Sequence, residues 1–175
     1  MRHVVLTLLT ACGAPRPAEP LPHVHHHAHA GHHFEDAREW AQTFDDPSRD
    51  EWQRPEEVVR LLGVEPGDVV VDLGAGTGYF LAHLSRAVGE RGRVIALDVG
   101  HSQLHWKIRS DPRVAVIEHV NARHLKPGDL PDVGAPISRV SIDVSFISLR
   151  HIFPILSALI APGCEIVALV KPQFE

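Results

Sequence analysis

Asp72 stands two residues ahead of the first of three alternating glycines in the string Asp72-Leu-Gly-Ala-Gly-Thr-Gly78, which are Gly74, Gly76 and Gly78. Glycine lets a backbone turn sharply and approach a ligand with no Cβ in the way. A loop that cradles pyrophosphate uses the spacing G-x-G-x-x-G and keeps negative charge away from the ligand. Here a carboxylate stands at the mouth of the turn. It suits a ligand with an amino group and a sulfonium cation. Asp98 ends the run Arg93-Val-Ile-Ala-Leu-Asp98, roughly twenty residues after the loop, where a carboxylate can grip ribose hydroxyls. Asp143 and Lys171 end two more runs, Val140-Ser-Ile-Asp143 and Glu165-Ile-Val-Ala-Leu-Val-Lys171. A lysine held by a carboxylate can help a bound hydroxyl lose its proton, either as a base or as a cation that favours the alkoxide.

These groups need a scaffold that gathers strand ends. Asp68-Val-Val-Val-Asp72 is short, apolar and β-branched, as a strand buried on both faces of a parallel sheet must be. Tyr79 to Val88 has helical spacing, which places the glycines at a strand-to-helix turn. Ligands collect at the carboxyl ends of such strands. The acid, the glycine loop and Asp98 together resemble motif I and the next acidic strand end of class I methyltransferases. That resemblance implies S-adenosylmethionine as cofactor. It also implies an α/β, Rossmann-like methyltransferase sheet, mostly parallel. A structural glycine turn in another α/β domain is the alternative.

Four later strings resemble a narrower family. They are Leu97 to Val114, Asn121-Ala-Arg-His-Leu125, Ile142-Asp-Val-Ser-Phe-Ile-Ser-Leu149 and Leu169-Val-Lys-Pro-Gln-Phe-Glu175. Over about residues 96–175 they are similar to the TlyA family of rRNA 2′-O-methyltransferases, which has an FtsJ-type catalytic domain. The resemblance implies methylation of cytidine ribose 2′-hydroxyls in ribosomal RNA. It implies a catalytic Lys-Asp-Lys-Glu set, of which Asp143 and Lys171 match two members. It places the loop of Glu118 and Asn121 against the adenine, with Asp143 also near the cofactor. No lysine precedes Lys107, so the first family lysine has no counterpart, and the final glutamate is expected beyond Glu175. The family's glycine loop reads closer to D-x-G-A-S-T-G-G-F, and residues 34–95 resemble a generic class I methyltransferase. The chain thus reads as a hybrid joined near Ala96 to Gly100, with a sheet truncated after its fifth strand.

Residues 34–175 are expected to form that domain, opening with an amphipathic helix over Phe34 to Phe44 that packs on the domain or lids the cofactor. Pro55 can open a second helix through Leu62. Residues 1–33 read as a disordered tail. Its start resembles a bacterial lipoprotein leader, with Leu9-Thr10-Ala11-Cys12 as lipobox and Cys12 as a lipid anchor; a plain disordered start is the alternative. A Pro-rich stretch, Ala14 to Pro22, precedes seven histidines within His23 to His33. That tract can bind metal adventitiously, and no specific metal site is expected because a flexible tract fixes no geometry. Cys164, in an apolar run, reads as a small buried hydrophobe.

Residues 34–100 hold 7 basic against 14 acidic side chains, and residues 101–175 hold 8 against 7. No strongly basic face announces nucleic acid. No apolar stretch reaches the ~20 residues that span a bilayer. The expected partner is therefore ribosomal RNA or a ribosomal subunit on the strength of the resemblance. A small-molecule acceptor is the alternative, favoured by the acidic first half. A truncated domain that binds cofactor without turnover is a third reading. The cytoplasm is the expected compartment, with membrane anchoring through Cys12 as its alternative.

Overall fold

The computed structural model describes residues 6–10, 47–101 and 104–175. The helix expected over Phe34 to Phe44, the Pro-rich and His-rich stretches and Cys12 lie outside them. Among the described residues six strands form one sheet: β1 (Leu6–Thr10), β2 (Val69–Leu73), β3 (Arg93–Leu97), β4 (Val114–Ile117), β5 (Arg139–Ile142) and β6 (Glu165–Val170). The order is β1-β6-β5-β2-β3-β4, and every neighbouring pair is parallel.

The central strand explains why the sheet needs cover on both sides. In β2 every residue is buried. Val69, Val71 and Leu73 join one apolar cluster with Ile95, Leu97, Val140, Ile142 and Leu156. Val70 points the other way, into a cluster with Leu62, Leu81, Leu84, Val88 and Val94. Strand side chains alternate between faces, so a β-branched run serves both. Helix α1 (Asp50–Gln53) and helix α2 (Pro55–Leu61) precede β2. Helix α3 (Leu81–Val88) follows it and buries Leu81, Leu84, Ser85 and Val88, a spacing that makes one apolar stripe. Each buried leucine contributes roughly 1.5–3 kcal/mol. Helix α4 (Trp106–Arg109) precedes β4, and helix α5 (Phe153–Leu159), with Pro154 in its first turn, precedes β6.

One element departs from the sequence reading. Leu6–Thr10, assigned there to the tail, pairs as a parallel edge strand with β6, from Leu6 opposite Ile166 to Thr10 opposite Val170. The physical reason is the open edge of β6. An unpaired strand edge presents a row of amides and carbonyls, and a short apolar segment satisfies them. Cys164 is buried as expected, and desolvation pushes its thiol up to about 11.

Candidate functional site

Parallel register brings the carboxyl ends of β2, β3, β5 and β6 to one edge of the sheet. Leu73 lies opposite both Leu97 and Ile142, and Ile142 lies opposite Ala168. The chain leaving each strand end therefore opens on a common cleft of about 1120 Å³. Of the residues singled out in the sequence, Asp72, Gly74, Gly76, Asp98, Asn121, Asp143 and Lys171 all line it. Gly78 does not. A Cβ there would sit 3.0 Å from Leu104 and 3.5 Å from Leu81, so this glycine makes room for apolar side chains.

The glycine loop is stitched to its neighbours. The amides of Gly74 and Ala75 both donate to the Leu97 carbonyl, at 2.8 and 3.2 Å, and Gly78 donates to Ala75 at 2.9 Å. The Gly76 amide donates to Asp98 Oδ2 at 2.8 Å. These four amides are spent inside the protein, whereas a phosphate cradle aims them at the ligand. Gly74 has φ +86°, and a Cβ there would lie 2.3 Å from the Asp143 carbonyl oxygen. Only glycine lets the loop pass this close to the end of β5.

Among the described residues, three carboxylates, Asp72, Asp98 and Asp143, line the cleft. Asp72 is buried, and its acid is pushed up to about 7. Desolvation is the main cause. The negative charges of Asp143 and Asp98 act in the same direction, against a hydrogen bond from Ser141. Asp98 accepts from Gly76 through one oxygen and from the Gly100 amide through the other, at 2.6 Å. Each oxygen keeps a second lone pair for a ligand hydroxyl. Asn121 caps a short 3-10 turn, Ala122–His124, by accepting from the Arg123 amide at 3.0 Å. Glu118, named with it in the sequence, instead pairs with Arg109 at 2.6 Å, and it is not among the residues that line the cleft.

At the ends of β5 and β6, Lys171 Nζ stands 2.7 Å from Asp143 Oδ1 and donates a hydrogen bond to Ser145 Oγ at 2.8 Å. The Phe146 ring is 69% exposed, lines the cleft and tilts against Phe174 at 5.4 Å. Its φ of +62° is strained for a residue with a side chain. Arg49, Trp52, Gln53, Tyr79 and Ser145 also line the cleft. Sequence reasoning missed them as site residues. Ser145 sits within the resembling string at Ile142 to Leu149, which was the available signal. The segment of Arg49 to Gln53 is too short to show a period.

A parallel sheet, an amide-sealed glycine turn and acids at successive strand ends define a Rossmann-like methyltransferase domain. A model of the FtsJ-like methyltransferase family matches residues 56–175, and the chain belongs to that family. The match includes the glycine loop and runs through the region of Ala96 to Gly100. YqxC of Bacillus subtilis is 45% identical over 107 residues, which cover 61% of this chain and 37% of that protein. The 16S/23S rRNA (cytidine-2'-O)-methyltransferase TlyA of Mycobacterium tuberculosis is 44% identical over 107 residues, 60% of this chain and 37% of that protein. A solved structure described as a hemolysin, from Streptococcus thermophilus, superposes with a TM-score of 0.62 at 40% identity and covers 69% of this chain and 42% of its own. The chain spans little more than a third of the length of these curated relatives. Among the described residues, no helix is long and apolar enough to cross a membrane.

Proposed function

We propose that this chain is an S-adenosylmethionine-dependent methyltransferase whose acceptor is a cytidine ribose 2′-hydroxyl of ribosomal RNA. One observation carries the reading: the Lys171–Asp143 pair, 2.7 Å apart, opens on the same cleft as Asp72 and Asp98. The donor set fits the cofactor. Asp72 would meet its positive charge, Asp98 its ribose hydroxyls and Asn121 its base. The loop of Gly74 and Gly76 gives it a floor without Cβ atoms. The sealed amides and clustered acids disfavour a pyrophosphate ligand.

When bound, S-adenosylmethionine supplies a methyl group on a positively charged sulfur, open to attack by an oxygen nucleophile. A ribose hydroxyl is a poor nucleophile, so alignment and charge stabilisation carry the catalysis. Of the two roles open to Lys171, the ion pair with Asp143 fits the cationic one. The ammonium favours the acceptor oxygen as its proton passes to solvent. Asp143 and Ser145 fix the lysine's position. The exposed Phe146 ring offers a face on which the acceptor's base can stack, and stacking contributes about 1–3 kcal/mol per base. A ribosomal acceptor places the protein's work in the cytoplasm, with a ribosomal subunit as partner; lipidation at Cys12 is the competing placement.

The test is transfer of radiolabelled methyl groups to ribosomal RNA, mapped by resistance of the modified linkage to alkali. Label in a cytidine ribose is the expected result. Label on a small acceptor with none in RNA would replace the RNA acceptor with a small molecule.

A further inference from the structure

A separate part of the cleft wall comes from the residues around α1, which the function above leaves unused. The Arg49 guanidinium lies 4.4 Å from the centre of the Tyr79 ring and 5.7 Å from that of Trp52. The Tyr79 hydroxyl in turn donates to Asp50 at the start of α1. Gln53, on the same short helix, is a buried polar side chain that lines the cleft.

We propose that Arg49 receives the carboxylate of the cofactor's amino-acid portion and so selects ligands that carry an intact amino acid. The assignment rests on the reading of the cleft as an S-adenosylmethionine site. It follows from the placement of charge. The adenosine half of the ligand is neutral, and its other half carries one carboxylate. Among the described residues, the lysine and arginine side chains that line the cleft are Arg49, Arg123 and Lys171. Lys171 is engaged by Asp143 and Ser145. Arg123 belongs to the turn capped by Asn121, beyond β4. Arg49 rests on Tyr79, the residue directly after Gly78, and so stands at the helix end of the glycine loop. An acidic cleft repels a carboxylate unless a cation meets it. Stacking uses the face of a guanidinium and carboxylate recognition uses its edge, so Tyr79 and the ligand make compatible demands.

Calorimetric titration of the full chain with two ligands tests this. S-adenosylhomocysteine keeps the amino acid, while 5′-methylthioadenosine keeps the adenosine and sulfur and lacks it. Arg49→Ala is expected to weaken S-adenosylhomocysteine by roughly ten- to a hundredfold, the range of a lost charge-assisted contact. Methylthioadenosine should stay within about twofold, which also shows that the variant folds. Arg49→Lys keeps the charge without the fork and should recover part of the loss. Equal weakening of both ligands, or of neither, overturns the assignment. A wild-type chain that binds neither ligand overturns the cofactor reading itself, a failure plainly distinct from the first.

Discussion

Lys171 Nζ and Asp143 Oδ1 lie 2.7 Å apart and join the ends of β6 and β5, two strands paired in parallel. The pair exists only because the register sets Ile142 opposite Ala168, so that both chains emerge at the same level of the sheet. If Lys171 supplies the charge that stabilises the acceptor oxygen, Lys171→Met should cut methyl transfer by roughly a hundredfold or more. Affinity for S-adenosylhomocysteine should change only a few-fold, because the lysine acts on the acceptor. Single-turnover transfer and calorimetry separate the two effects. Parallel loss of both would move Lys171 from catalysis to cofactor binding.

The loop's passage beneath β5 gives a steric prediction. Gly74→Ala places a Cβ 2.3 Å from the Asp143 carbonyl oxygen at a φ of +86°. Backbone strain and overlap together should cost on the order of 3 kcal/mol. Gly67 shares the positive φ, yet nothing lies within 4 Å of a Cβ built there. Gly67→Ala should therefore cost only about 1 kcal/mol, the conformational part alone. Thermal unfolding of the two variants measures the difference, and equal losses would show that the close approach to β5 contributes nothing.

Asp98 does two jobs with one carboxylate, holding Gly76 at 2.8 Å and Gly100 at 2.6 Å while facing the cleft. Asp98→Asn keeps the shape and turns one acceptor into a donor, which then confronts a backbone amide. A loss of about 1–3 kcal/mol in stability is expected from the unpaired amide. Binding of S-adenosylhomocysteine should weaken about tenfold or more, since the ribose loses a charged acceptor. Denaturant unfolding checks the first effect and calorimetry the second.

Sequence made the sheet's centre legible for a physical reason. β2 and β3 are buried, largely apolar runs and β6 is buried over Ile166 to Ala168, each bounded by glycine or charge, so their lengths are local properties. The acids at the ends of β2, β3 and β5 and the lysine at the end of β6 became a site as soon as the strands were parallel. Leu6–Thr10 was not legible as a strand, because its apolar run reads equally as a leader and its partner is Ile166 to Val170, far along the chain. The role of Gly78 was hidden for a similar reason: whether a glycine faces a ligand or a leucine depends on Leu104, which arrives later. Trp52 and Gln53 enter the cleft from a four-residue helix and Arg49 from the 3-10 turn just before it, segments too short for a hydrophobic period to form.

Asp72 links the site to pH. In the folded protein its acid is held up to about 7 by burial, with Asp143 and Asp98 adding to the effect, against an ordinary value of 3.8. Between those limits the folded chain keeps a proton that the unfolded chain has lost. Its contribution to stability is therefore full below about 4 and falls as pH rises toward 7. It amounts to about 4 kcal/mol over the whole window. Asp72→Asn should flatten that part of the stability–pH curve, as measured by denaturant unfolding from pH 4 to 8. Ligand binding runs the other way. A positively charged ligand beside Asp72 favours the carboxylate, so binding should release a proton below pH 7 and tighten as pH rises toward it. Calorimetry in buffers of different ionisation enthalpy counts that proton, and Asp72→Asn should abolish the release. Proton release that survives the substitution would mean that another of the cleft's acids carries the charge meant for the ligand.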